Sequence, residues 1–487
     1  MLSARERVLK FLNGEKVDRP PVFSGMGNVI KPVLDDYGIV FSKVHRDPEL
    51  MARAAAGMYK EFGYECAVVP FDLGVEAEAL GAKMNFYDEV EGLLYPTIKE
   101  KSVVEVEDVR IPEDMENAGR IPVVTGAIKA LRRELGDEVA IGTYALGPFT
   151  LAGQVKELDA LFEESFLEPE KTGKLLAKLS EFIIRLFGIY RDAGADYFTL
   201  REMGGTSDVM SPKSFRSLIK PHLVKILSEI PRPNILHICG DTNAIIKDMA
   251  ECGAMARLRS VARSSQEEHG RTRVDSEGGV KDMKLIQVAG YLGSGKTTLI
   301  IALAKMMAEP GLKTAVIVND AGEVPVDGRV MKEFGLTVKD IGGGCICCQV
   351  AGNMLRTLES LAKGPKPDLI FVEPTGMAVP NTIRENVLTG AARNNIVIGP
   401  TIVLFDTTRA EKLLTYDTLK RLVGTQLRDA DIIALSKADR VPPETLGKAR
   451  DEAIKINPAA AVLELSTHTG KGLTELAGAV RERVVAA

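Results

Sequence analysis

Short apolar runs alternate with longer segments of helical period along the whole chain, which predicts an α/β protein with strands buried on both faces of parallel sheets. In the first part the strand candidates are residues 21–24, 66–69, 139–145, 196–200 and 234–238, with helical segments such as 3–13 and 169–193 between them. That order predicts a partial TIM-type (β/α) barrel, since only about five of the eight strands of a closed barrel are visible. An open barrel of this kind leaves two strand edges to be covered. In the second part residues 283–307 read as strand, Gly-rich turn and amphipathic helix. Further strand candidates follow at 314–318, 368–372, 401–405, 431–436 and 461–465, so a P-loop NTPase domain with a mainly parallel sheet is expected. Residues 257–282 have few large apolar side chains and no sustained period, so they read as a linker. The expected division is therefore 1–256, linker 257–282, and 283–487.

Length and composition agree with that division. A chain of 487 residues exceeds one ordinary hydrophobic core. A net charge of -5, with no Lys/Arg-rich run, argues against nucleic acid as a partner. No apolar run reaches the ~18 residues that cross a bilayer, so a cytoplasmic protein with no membrane contact is expected. The six cysteines are too few for a disulfide framework, and close spacing in a reducing compartment favours metal or redox chemistry.

The segment Gly290-Tyr-Leu-Gly293-Ser294-Gly295-Lys296-Thr297-Thr298 fits a phosphate-binding loop between an apolar strand and a helix. Its backbone N–H groups would wrap phosphates, Lys296 would reach the β and γ groups, and the Thr297 hydroxyl would ligate Mg²⁺. Ser436-Lys437-Ala438-Asp439 ends a later strand. A carboxylate at Asp439 accepts both guanine N–H groups and mismatches adenine, so GTP is favoured over ATP. Ser436 stands where Asn or Thr is more usual, and Ser466-Thr-His-Thr-Gly470 resembles a guanine-contacting loop of GTPases. Glu373 and Gly376, at the end of another strand, are placed to contact the metal water and to sense the γ-phosphate. Lys296, Thr297 and Glu373 are thus the catalytic candidates, and Asp320 and Glu323 are candidates for a first switch near the metal.

Cys345, Cys347 and Cys348 follow a glycine run. Such soft thiolates select Zn²⁺, Cu⁺ or a similar ion, with a redox couple as the rival reading. Three protein ligands leave a fourth position open, which suits transfer of a metal. Because the trio lies between the switch segments, nucleotide state can alter its affinity.

Taken in this order, the phosphate loop, Cys-x-Cys-Cys, Glu-Pro-Thr-Gly and Ser-Lys-x-Asp resemble the CobW/HypB/UreG-like metallochaperone GTPases, nearest the CobW branch. The resemblance implies slow GTP hydrolysis coupled to delivery of Zn²⁺, Co²⁺ or Ni²⁺ to a client metalloprotein, with a homodimer as one arrangement. Pro325 replaces a glycine of the family's first switch.

The start Lys16-Val17-Asp18-Arg19-Pro20-Pro21, the run from Pro70 through Glu76 and Glu78 to Gly81, and Gly147-Pro-Phe-Thr-Leu-Ala152 resemble the uroporphyrinogen decarboxylase-like superfamily, most of all its methylcobamide:thiol methyltransferases. His237 and Cys239, two residues apart on a strand end, point to one face and can share one Zn²⁺, although a structural pair is the commoner case. In that family zinc activates a thiol that attacks a methyl group on a corrinoid held in trans by another protein. No Arg-rich loop follows the first strand, which argues against tetrapyrrole decarboxylation. The resemblance ends near Ala254, short of a further zinc-ligating cysteine. A GTP-hydrolysing metallochaperone tethered to a truncated methyltransferase-like domain is therefore expected. The alternatives are a bifunctional methyltransferase with a regulatory GTPase, and decarboxylase-like activity in the first part.

Overall fold

A computed structural model describes residues 2–88, 94–207, 210–240, 242–260, 283–308, 312–318, 337–340, 357–358, 361, 366–374, 376, 378–381, 384, 396–415 and 417–486. The chain separates into Met1–Val261 and Ala262–Ala487.

The first unit opens with the helix Ala4–Leu12, started by a reciprocal cap in which Ser3 Oγ accepts from Glu6 N and Glu6 accepts from Ser3 N. Its strands are β1 (Cys66–Val69), β2 (Lys83–Asn85), β3 (Thr97–Glu100), β4 (Ala140–Leu146), β5 (Tyr197–Arg201), β6 (Asn234–Cys239) and β7 (Ala256–Ser260). Five of them form a parallel sheet in the order β1-β4-β5-β6-β7, while β2 and β3 make a small antiparallel pair. The helix Pro169–Asp192 packs on the sheet's outer face, where Phe187 meets Phe198 edge to face at 5.8 Å. On the opposite face the register aligns Tyr144 with Thr199 and Arg201 with His237.

Two boundaries differ from expectation. Residues 21–24 form no strand: Pro20 and Pro21 have no N–H to give a ladder, and the segment is instead tied to the start of β1 by Val22 N donating to Glu65 Oε1 at 2.9 Å. At the other end, β7 pairs with β6 through Ser260, so the sheet continues into residues assigned to the linker. Its two arginines flanking a single large apolar residue, Leu258, hid a strand that backbone pairing with β6 supports.

The second unit contains β8 (Met283–Gly290), β9 (Thr314–Val318), β10 (Thr337–Asp340), β11 (Leu369–Glu373), β12 (Ile396–Asp406), β13 (Ile432–Ser436) and β14 (Ala461–Glu464). They build one parallel sheet in the order β10-β9-β11-β8-β12-β13-β14. Alternate residues of β8 serve the two faces. Ile286 and Val288 join a core with Leu299, Leu303 and Leu476 from the helices Lys296–Ala308 and Leu473–Ala486, whereas Met283 and Leu285 pack with Ile317 and Ile370. Among the described residues no helix is long and apolar enough to cross a membrane.

Candidate functional site

The strand β8 ends at Gly290, whose φ of 139° is open only to glycine, and a Cβ there would lie 2.6 Å from the Leu404 carbonyl oxygen. Gly293 and Gly295 also have left-handed φ values, 67° and 96°, so the chain folds tightly before the helix begins at Lys296. The turn forms a cradle: Lys296 is buried, and the buried Ser294 hydroxyl has no hydrogen-bond partner among the described residues. Thr297 Oγ1 donates to Glu373 Oε1 at 2.8 Å, joining the first turn of the helix to the end of β11. Thr298, next on the helix, is exposed.

Gly376 lies directly against the loop, since a Cβ would sit 2.6 Å from Leu292 N. On the other flank, Lys437 adopts a left-handed φ of 57° and sends Nζ to Gly293 O at 2.9 Å and to Asp406 Oδ2 at 2.8 Å. Asp439 is exposed, and a hydrogen bond from Ser466 holds its carboxyl below the ordinary value. Ala438 N donates to Leu465 O at 3.0 Å, which keeps the loops after β13 and β14 together. Gly290 through Thr297, Glu373, Gly376, Lys437 and Asp439 thus lie at or just after the same end of the parallel strands β8, β11 and β13. Asp320, Glu323, Cys345, Cys347 and Cys348 lie outside the described residues.

Three residues were missed. Asp406 ends β12 fully buried; burial alone would raise its carboxyl, but Lys437, Thr408 and Arg409 hold it below the usual range. Arg409 Nε donates to Asp406 at 3.1 Å and its Nη2 to the Leu292 carbonyl, so it braces the phosphate loop from outside. Gln426 donates to Gly376 O and Ala378 O. Asp406 had a signal, an acidic residue closing an apolar strand as Glu373 does; Gln426, inside an amphipathic helix, had none.

The donor set fits Mg²⁺: a hydroxyl and a carboxylate in contact beside a glycine cradle are hard oxygen ligands.

In the first unit, β6 places His237 and Cys239 on the face shared with Arg201, and both are buried. Cys252 Sγ donates to Asp248 O on its own helix at 3.2 Å. Among the described residues no group of three or more potential ligands gathers, so His237 and Cys239 supply two donors and no closed zinc set. Around the same strand ends, Glu76 accepts from Leu146 N at 2.8 Å and Glu202 accepts from Phe149 N and Thr150 N at 2.9 and 3.0 Å. Burial pushes both carboxyls up to about 7. Asp72, in contrast, is held low despite burial by Arg120, which binds it through both oxygens, and by His45.

Comparison with known proteins separates the same two parts. Residues 3–261 match the family model "Uroporphyrinogen decarboxylase (URO-D)", and residues 284–464 match "CobW/HypB/UreG, nucleotide-binding domain". The first part is 31% identical over 254 residues to the methylcobamide:CoM methyltransferase MtaA of Methanosarcina barkeri, covering 51% of this chain and 73% of that protein. The second is 36% identical over 160 residues to the zinc chaperone YeiR of Escherichia coli K12, covering 32% of this chain and 47% of that protein, so it spans about half of that relative. A solved methyltransferase from Methanosarcina mazei shares the fold with a TM-score of 0.51 at 23% identity, covering 81% of this chain and 99% of that one.

Proposed function

This chain belongs to the uroporphyrinogen decarboxylase family through its first part and carries a CobW/HypB/UreG nucleotide-binding domain in its second, and we propose that the second part is a GTP-hydrolysing metallochaperone. The observation that carries this reading is the double tie of Lys437 to Gly293 O and Asp406, which fixes a guanine-selecting loop onto a phosphate loop. GTP seats its phosphates in the glycine cradle. Lys296 offsets the negative charge between the β and γ groups, and Asp439 accepts the guanine N–H pair. Thr297 and Glu373 would hold Mg²⁺, which when bound neutralises phosphate charge. Gly376 offers its backbone N–H to the γ-phosphate, so loss of that group releases the segment after β11.

The cargo is a soft transition metal, Zn²⁺ by analogy with the YeiR relative, with Co²⁺ or Ni²⁺ as further candidates. Cys345, Cys347 and Cys348 are the residues assigned to it. Asp320 and Glu323 belong to the switch that couples nucleotide to metal, and the receiver is a metalloprotein client.

The first part retains His237 and Cys239, two donors suited to a zinc-bound thiol, but lacks a closed ligand set among the described residues. We assign it a methylcobamide:thiol methyltransferase-like origin with little or no turnover, its corrinoid partner held in trans.

Steady-state GTP turnover with and without Zn²⁺ or Co²⁺, in wild type and Cys347→Ser, tests the chaperone reading. Metal-responsive hydrolysis that the substitution abolishes supports it; hydrolysis indifferent to both sinks it. Methyl transfer from methylcobalamin to a thiol at an enzymic rate would instead favour the bifunctional enzyme.

A further inference from the structure

Gln426 lies on the helix Asp417–Arg428 and is buried, with 1% exposure, although glutamine is rarely enclosed. An amide NH₂ has two donors, and both find carbonyls: Nε2 reaches Gly376 O at 2.9 Å and Ala378 O at 3.0 Å. The amide orientation follows from these partners, because the flipped form would set its oxygen against two carbonyl oxygens. Oε1 is buried and has no partner among the described residues, so the two donated bonds are the polar ties seen there for the side chain. A second tie secures the far end of the same segment, where Asn381 N and Nδ2 donate to Asp429 at 3.1 and 2.6 Å. The near end presses on the phosphate loop, because Gly376 has no space for a Cβ beside Leu292.

Gly376 and Ala378 are therefore held between the phosphate loop and the helix Asp417–Arg428, and Asn381 is held at Asp429, just past that helix. We infer that Gln426 is a positioning residue for triphosphate recognition. By fixing the carbonyls of Gly376 and Ala378 it presents the Gly376 backbone to the γ-phosphate, and it carries the presence or absence of that group to the helix Asp417–Arg428. The inference rests on the GTPase reading above and adds to it the element that receives the nucleotide signal. The chain of contact runs Leu292, Gly376, Gln426, helix. A nucleotide lacking the γ-phosphate leaves the Gly376 N–H without its phosphate contact, so diphosphate binding depends little on Gln426.

The test compares full-length wild type with Gln426→Leu, which keeps the volume and removes the donors, and Gln426→Glu, which sets acceptors against the two carbonyls. Binding of fluorescent GDP and of a non-hydrolysable GTP analogue is measured at equilibrium, with hydrogen exchange followed across residues 417–428. The expected result is GDP affinity within about twofold of wild type and analogue affinity weaker by about tenfold. In parallel, the exchange difference between the two nucleotide states on that helix, present in wild type, disappears. Equal loss of both nucleotides, as a structural role alone would give, overturns the inference, and so does an unchanged ratio. Should both buried variants fail to fold, Asn381→Ala at the exposed end of the clamp decides: a lowered analogue-to-GDP ratio supports the inference and an unchanged one overturns it. Wild type that binds no guanine nucleotide would bring down the GTPase reading itself, a different result from a wild type that binds both.

Discussion

Thr297 Oγ1 donates to Glu373 Oε1 at 2.8 Å, which locks the start of the phosphate-loop helix to the end of β11. Both side chains are hard oxygen donors, so Mg²⁺ would exchange this contact for its own coordination. Thr297→Ala and Glu373→Gln should each lower GTP turnover by about a hundredfold. A Mg²⁺ titration of initial rates checks this, and unchanged metal dependence in both variants would refute the assignment.

On the base side, Asp439 is exposed and carries its charge at neutral pH, held there by Ser466. Replacing it with Asn exchanges one acceptor for a donor, which mismatches guanine and matches the extra carbonyl of xanthine. Asp439→Asn should lose GTP affinity by about a hundredfold and gain measurable affinity for the xanthosine nucleotide. Competition binding with both nucleotides reads this directly.

Asp406 is expected to matter as much as the proposed base-contacting residues, because both Lys437 and Arg409 bind it. Removing its charge leaves two cations to reposition beside the loop. Asp406→Asn should weaken GDP and GTP by a similar factor, about tenfold, with Mg²⁺ dependence preserved. Calorimetry with each nucleotide measures it, and selective loss of GTP alone would contradict the role.

Zinc affinity of the full chain should differ between the GTP-analogue and GDP states by about tenfold. That difference should vanish in Cys347→Ser. Competition against a chromophoric chelator in each nucleotide state gives both numbers.

Glu76 sets a pH dependence of opposite sign to that of an ordinary ion-paired acid. Its folded carboxyl titrates at about 7 against an ordinary value of 4.5. Between those values the folded state holds the extra proton, so its contribution to stability is full below 4.5 and is lost as pH rises through 7. Glu76→Gln still accepts from Leu146 N but does not titrate, so its stability relative to wild type should rise from pH 5 to pH 8, by up to about 3 kcal/mol. Urea unfolding read by hydrogen exchange over β4 at the two pH values checks the sign.

Much of this architecture was legible because its signals are local. The apolar runs at 314–318 and 431–436 became strands, and the glycines of the phosphate loop were readable because three backbone positions there require left-handed φ. β7 was not, since a five-residue run with two arginines and one large apolar residue becomes a strand only through its neighbour. The roles of Gln426 and Arg409 were equally hidden. Each depends on a partner distant in sequence, Gly376 in one case and Leu292 in the other, and a polar residue on a helix or after a strand carries no local mark of that pairing. His237 and Cys239 were legible as a pair from their spacing of two, but the face they share with Arg201 emerges only from the register of β5 and β6.

β8 occupies the middle of the seven-stranded sheet, with β11, β9 and β10 to one side and β12, β13 and β14 to the other. A nucleotide seated at its end therefore spans two halves of the sheet, one that reads the sugar-base end and one that reads the terminal phosphate. On the proposed GTPase reading, guanine selectivity and responsiveness to hydrolysis would be carried by different strands, so that selection could adjust either one while leaving the other intact.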